Sequence, residues 1–95
     1  MAAREDVADN AGKRRYEILV DGQLAGASYY HDGDGARVLT HTEVGEEWEG
    51  QGLGSRLIAG ALDDIRARGL SVTPVCPFTA AYIERHPEYQ DLVTS

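Results

Sequence analysis

The most constraining feature of this 95-residue chain is a change of period between residues 44 and 54. Ala36 to Val44 is rich in β-branched residues, with Val38, Thr40, Thr42 and Val44 at every second position, and reads as a strand. From Leu53 the spacing becomes helical. Leu53, Leu57, Ile58, Ala61, Leu62 and Ile65 fall on one face, with Ser55, Arg56, Asp63, Asp64 and Arg66 on the other. The predicted helix runs from about Gly52 to Arg68, with Gly69 suited to the residue after its end. Leu70 to Val75 is again apolar and reads as a strand. A strand, a crossover helix and a second strand favour parallel pairing with a right-handed connection.

The flanking segments fill in the rest. Tyr16, Ile18 and Val20 alternate with Arg15, Glu17 and Leu19 as in a short strand. Asp21-Gly22 is a two-residue hairpin signal, and Leu24 to Tyr30 reads as the partner strand. His31 to Gly35 reads as a turn cluster before the strand from Ala36. Together these make an antiparallel three-strand meander. Pro77 stands where a second, shorter helix over Phe78 to Arg85 begins, and Pro87 lies past its end. Met1 to Lys13 is polar and small, so residues 1–14 are expected to form a disordered lead-in. The tail from Glu88 to Ser95 is expected to add no further element. The predicted fold class is α+β (α/β-like): meander, helix, parallel fourth strand, short second helix, as one domain over residues 15–95.

Composition narrows the function. A formal net charge of −7 disfavours nucleic acid as a partner, because phosphates are met by clustered Lys and Arg. Cys76 is the sole cysteine, so no intramolecular disulfide can form, and a reducing, cytoplasmic setting is the default expectation. No apolar run approaches the roughly 20 residues of a membrane span, and the N-terminal charges lack the apolar stretch of a signal peptide. His31, His41, His86 and Cys76 show no ligand spacing, so no metal is expected.

Gly50, Gly52 and Gly54 alternate at the strand-to-helix junction. Glycine lets backbone approach a ligand closely, and the first amides of a helix point outward without internal partners. With the helix dipole they form an anion site, and phosphate is the obvious anion. The competing reading is a flexible turn that merely starts a helix. A nucleotide P-loop is excluded because no Gly-Lys-Ser/Thr is present, and the spacing does not fit a dinucleotide fingerprint.

The run from Val44 through Glu49-Gly50-Gln51-Gly52-Leu53-Gly54 resembles the GNAT superfamily of N-acetyltransferases, whose acetyl-CoA loop follows the pattern Gln/Arg-x-x-Gly-x-Gly/Ala. More narrowly, His41-Thr42 before the loop and Cys76 after the last strand are similar to the small GNAT-like domains of the YjdJ type. The resemblance covers Tyr16 to about Val93. It implies a minimal GNAT fold whose loop-bearing strand splays from the next. Acetyl-CoA would be held as co-substrate by the amides of Gly50, Gln51, Gly52, Leu53 and Gly54, with Ser55, and the Val44 main chain would run beside the pantetheine arm. Cys76 would lie near the thioester. Glu49 departs from the pattern, since a carboxylate repels a pyrophosphate unless it turns away. The N-terminal helices and the final strand pair that larger members use for the acceptor are missing.

Acyl transfer to an amine needs a neutral amine, a polarised thioester carbonyl and a proton for the leaving thiolate. Cys76 is the leading catalytic candidate, as a thiolate that accepts the acetyl group; its bland alternative is a small buried hydrophobe. His41 is a candidate base for Cys76 or for the amine, and Glu43, two residues along the strand, is a second. Tyr82 is a weaker candidate proton donor, at the place the resemblance gives to a tyrosine; otherwise it is a core aromatic. Trp48 reads as packing. The expected activity is acetyl-CoA-dependent transfer to a small-molecule or protein amine, by a monomer or weak homodimer. The alternatives are a CoA-binding module with little or no transferase activity, and an interaction domain whose glycine loop is only a turn.

Overall fold

A computed structural model of the protein describes residues 4–93. Five strands form one mixed sheet in chain order: β1 (Glu5–Asn10), β2 (Arg15–Val20), β3 (Gln23–Gly33), β4 (Ala36–Val44) and β5 (Ser71–Pro74). The first four pair antiparallel and β5 joins β4 in parallel. Helix α1 (Leu53–Ala67) carries the chain over the sheet from β4 to β5, and α2 (Pro77–Arg85) follows. Leu53, Leu57, Ile58, Ala61, Leu62 and Ile65 form the buried stripe of α1, as their spacing requires. They pack on Tyr16, Ile18, Val20, Leu39 and Val72 from the sheet. The two hairpins turn at Asp21-Gly22 and Asp34-Gly35, where all four residues have positive φ, the geometry that matches strand twist.

Three expectations need correction. Residues 1–14 are not simply a disordered lead-in, because Glu5–Asn10 is strand β1, in register with β2 from Glu5↔Val20 to Asn10↔Arg15. Met1–Ala3 lie outside the described residues. Composition hides this strand because tertiary contacts hold it. Val7 sits over Gly60 of α1 so closely that a Cβ on Gly60 would come within 2.6 Å of it. Asp9 accepts hydrogen bonds from Tyr30 and Arg37. The meander therefore has four strands. The predicted turn at 31–35 shrinks to Asp34-Gly35, since β3 continues through Gly33. The tail also contributes: Pro87–Leu92 forms a 3₁₀ helix with Leu92 buried, and Val93 bridges to Val72 at the outer side of β5.

One irregularity in β4 controls everything downstream. Tyr30 pairs with Leu39 but Tyr29 pairs with His41, leaving Thr40 as an extra, bulged residue. Arg37 and Leu39 face α1 before the bulge. After it Thr42 takes that face, beside Ser28, and His41 turns to the opposite one.

Candidate active site

The site forms where β4 outlives its neighbour. Parallel pairing with β5 ends at Leu39↔Pro74, and the last link is the Cys76 amide donating to the Leu39 carbonyl at 2.9 Å. The chain then turns into α2, with Pro77 in its first turn. Beyond Leu39 the side of β4 that faced β5 is open. The Gly45 amide donates to Ala25 on β3, so strand alternation turns the main chain of Thr42 and Val44 toward the gap.

The glycine loop borders this gap. Glu46–Trp48 makes a single 3₁₀ turn, closed by the Glu49 amide on the Glu46 carbonyl. The Arg56 amide donates to the Gly52 carbonyl at the first turn of α1. Among the described residues, Gln51 closes the turn over Glu49-Gly50, and the amides of Gly50 and of Gly52 to Ser55 have no hydrogen-bond acceptor. Gly50 and Gly52 have φ of 81° and 75°, the left-handed region that favours glycine. Gly54 is glycine for another reason: a Cβ there would lie 2.9 Å from the Phe78 ring of α2. Val44, Trp48, the loop and Phe78 enclose a cleft of about 230 Å³. These unpaired amides at a helix N-terminus fit the pyrophosphate of a coenzyme A thioester, and Glu49 is exposed at the rim with room to turn outward. Sequence reasoning missed Arg56, which donates to the Gln51 carbonyl at 2.9 Å and to Glu5 at 3.2 Å, and so ties the loop to β1. β1 had no signal of its own, so neither did this tie.

Cys76 lies at the inner end of the gap, 4% exposed. Its sulfur is 3.4 Å from the Thr42 hydroxyl, which is 3.0 Å from the buried Ser28 hydroxyl. Burial pushes the thiol up, but the Thr42 hydroxyl, the Thr79 amide and hydroxyl and the Phe78 amide outweigh it and hold it below its usual value.

The structure does not bring His41 to Cys76. The bulge puts His41 on the opposite face, exposed, stacked on Tyr29 at 6.0 Å and with Nε2 3.3 Å from Glu43. Glu43 also accepts from the Tyr29 hydroxyl at 3.2 Å, and Tyr29 accepts from Arg15. Tyr82 is not grouped with Cys76 either. Its ring stacks on His86 at 3.9 Å and leans on Tyr89, and burial together with Glu88 and Asp63 pushes its hydroxyl up. His31 is exposed on β3, and His86 caps α2 with Nδ1 on the Tyr82 carbonyl. On the face that carries Glu43, a second groove of about 370 Å³ lies between Arg15, Leu24, Ala27, Glu43 and Glu46. Both hollows are lined by Val44. Among the described residues no three His, Cys, Asp or Glu side chains are grouped to hold a metal ion, and no helix is long and apolar enough to cross a membrane.

A mixed sheet splayed beside a helix that opens on free amides defines a protein of the acetyltransferase fold class. The family profile for the GCN5-related N-acetyl-transferases matches residues 15–92, and the chain belongs to that family. Among solved structures, a GCN5-like protein from Staphylococcus aureus is similar over 95% of this chain and 88% of its own, with 23% identity and a TM-score of 0.70. The ribosomal-protein-S18-alanine N-acetyltransferase of Escherichia coli is 22% identical with a TM-score of 0.62, and Ard1 of Thermoplasma volcanium is 20% identical with 0.59. Each matches 83% of this chain, which spans only about half their length (54% and 55%). At these identities the likeness establishes the fold. No curated protein matches the chain.

Proposed function

We propose that the protein is an acetyl-CoA-dependent N-acetyltransferase that passes the acetyl group to an amine through Cys76. The observation that carries this is the run of unpartnered amides at the start of α1, beside an open strand edge that ends at a buried thiol of lowered pKa. Acetyl-CoA supplies an activated acetyl thioester. Gly50 to Ser55 hold its pyrophosphate, and the free main chain of Thr42 and Val44 pairs with its pantetheine amides as an added strand would. The Cys76 thiolate attacks the thioester carbonyl carbon; the bond to the coenzyme sulfur breaks and that sulfur leaves with the electron pair. The acceptor amine then attacks the Cys76 thioester, regenerating the thiolate. Before that attack the acceptor enters by the groove on the opposite face, where Glu43 and Glu46 attract a protonated amine and the His41–Glu43 pair takes its proton; the neutral amine then passes the open edge of β4 to the thioester. This gives His41 a role toward the amine rather than toward Cys76.

Intact-protein mass spectrometry after incubation with acetyl-CoA tests the route. The expected result is a single acetyl group on Cys76, discharged on adding an amine such as a lysine-containing peptide. Turnover by the Cys76→Ala variant at the wild-type rate refutes transfer through sulfur. Absence of acetyl-CoA binding by calorimetry at millimolar concentration refutes the transferase reading altogether.

A further inference from the structure

Cys76 is surrounded by more polar groups than packing requires. Ser28 and Thr79 are wholly buried, Cys76 nearly so, and Thr42 is half-buried. Four hydroxyl or thiol groups beside a cluster of buried Ile, Leu, Ala, Val and Tyr carry a desolvation cost without an obvious return. Thr79 is the sharpest case. Its hydroxyl is fully buried and has no hydrogen-bond partner of ordinary geometry. It favours the anionic form of the Cys76 sulfur. A valine of the same shape would avoid the cost.

The arrangement does make sense around an anion. Thr79 is the third residue of α2 and Cys76 its N-cap, so the amides of Phe78 and Thr79 are among the unpaired amides at the helix start next to the sulfur, and both favour its anion. Thr42 reaches the sulfur from β4, opposite α2, at 3.4 Å, and Ser28 backs Thr42 at 3.0 Å. Hydroxyl hydrogens rotate. With a thiol, the S–H donates to Thr42, which donates on to Ser28. With a thiolate the line reverses: Ser28 donates to Thr42, and Thr42 donates to sulfur. The leading influences on the sulfur are neutral. His41 and Glu43, the titratable residues of β4 nearest in sequence, face the other side of the sheet. On α2, Tyr82 and His86 are engaged with each other further along the helix.

We infer that Thr42 and Thr79 are positioning residues that hold Cys76 as its nucleophilic thiolate, the task a histidine performs for many catalytic cysteines. The purpose rests on the proposed acetyl transfer through Cys76, but the test does not use acetyl-CoA, so the two can fail separately. The chain has one cysteine, so the thiolate absorbance near 240 nm, taken as the difference from Cys76→Ser, reports this sulfur alone. In the wild type the midpoint is expected below the ordinary thiol value of about 8.5. Thr79→Val and Thr42→Val are each expected to raise it by about one pH unit. Thr79→Ser, which keeps the hydroxyl, is expected to restore it. Thr79→Val is expected to melt no lower than wild type, since it removes an unsatisfied buried hydroxyl. Titrations of both valine variants that superimpose on the wild type would overturn the inference, as would a Thr79→Ser midpoint that stays with Thr79→Val. Normal titration shifts with no acetylation of Cys76 would instead leave the thiolate site standing and remove the transfer route.

Discussion

The two halves of β4 bury polar groups in opposite ways. In the first half Arg37, 6% exposed, has partners for four of its five N–H groups. It makes a two-pronged ion pair with Asp32, donates to the Tyr16 hydroxyl and to Asp9, and lies over the Tyr30 ring at 4.1 Å. Tyr16 and Tyr30 donate in turn to Asp64 and Asp9, and Arg68 closes the group against both carboxylates. Four strands and α1 meet there, with β5 paired alongside. In the second half β5 has gone, and among the described residues the loop amides other than Gln51 have no acceptor. The Thr79 hydroxyl is also unpartnered, and the polar groups around Cys76 are neutral hydroxyls and amides. A buried network whose charges are paired holds a fold together; one with groups left unpartnered is reserved for something that binds. The Thr40 bulge separates the two.

Breaking the closed end is expected to have the largest effect on stability. Arg37→Ala takes one partner each from the buried Asp9 and the Tyr16 hydroxyl, which keep Arg68, Tyr30 and Asp64, and should cost about 3 kcal/mol in urea unfolding, the lower end for breaking a buried ion pair. The midpoint of Cys76 in any folded fraction should not move, because the two networks share no residue. A loss below about 1 kcal/mol would mean that the network contributes little. Next is the seat of β1: Gly60→Ala drives a Cβ into Val7 and should cost about 1–3 kcal/mol, recovered when paired with Val7→Ala. If Gly60→Ala alone is stable, β1 does not depend on that notch.

At the open end, Gly52→Ala imposes a side chain on a left-handed residue. It should cost about 1–2 kcal/mol and remove most of the thermal stabilisation by acetyl-CoA, read by calorimetry with and without ligand. Unchanged stabilisation would count against the loop as the pyrophosphate site. The closed end also carries a pH signature. Arg37 holds the Asp32 carboxyl below its usual value, and the bonds from Tyr16 and Arg68 overcome burial to do the same for Asp64. A depressed folded pKa gives stability that is complete above the unfolded value of about 3.9 and lost as pH falls through the lower, folded one. Stability should therefore fall below about pH 4. Asp64→Asn should flatten that fall. The smallest effect is expected of Glu49→Gln, which removes a repulsive charge at the exposed rim and should tighten acetyl-CoA binding by up to about fivefold, less at high salt. Weaker binding would show that Glu49 contributes a contact instead.

What the sequence determined by itself is what local pattern and local chemistry carry. The periods gave the strands from Arg15 onward, the α1 stripe and the switch between them, because those residues bury one face whatever the rest of the chain does. Gly50, Gly52 and Gly54 marked the loop, and a single cysteine drew attention to Cys76. Only the tertiary structure decided the rest. β1 is polar and reads as a loose end; Val7 on Gly60 and Asp9 in the arginine network make it a strand. Period-two counting puts His41 on the same face as Arg37 and Leu39. One extra residue at Thr40, required by the pairing with Tyr29 and Tyr30 rather than by any local signal, reverses that assignment. It sends His41 to the far face and brings Thr42 to the sulfur. Which side chain meets a buried thiol depends on strand register, and register is set by long-range pairing.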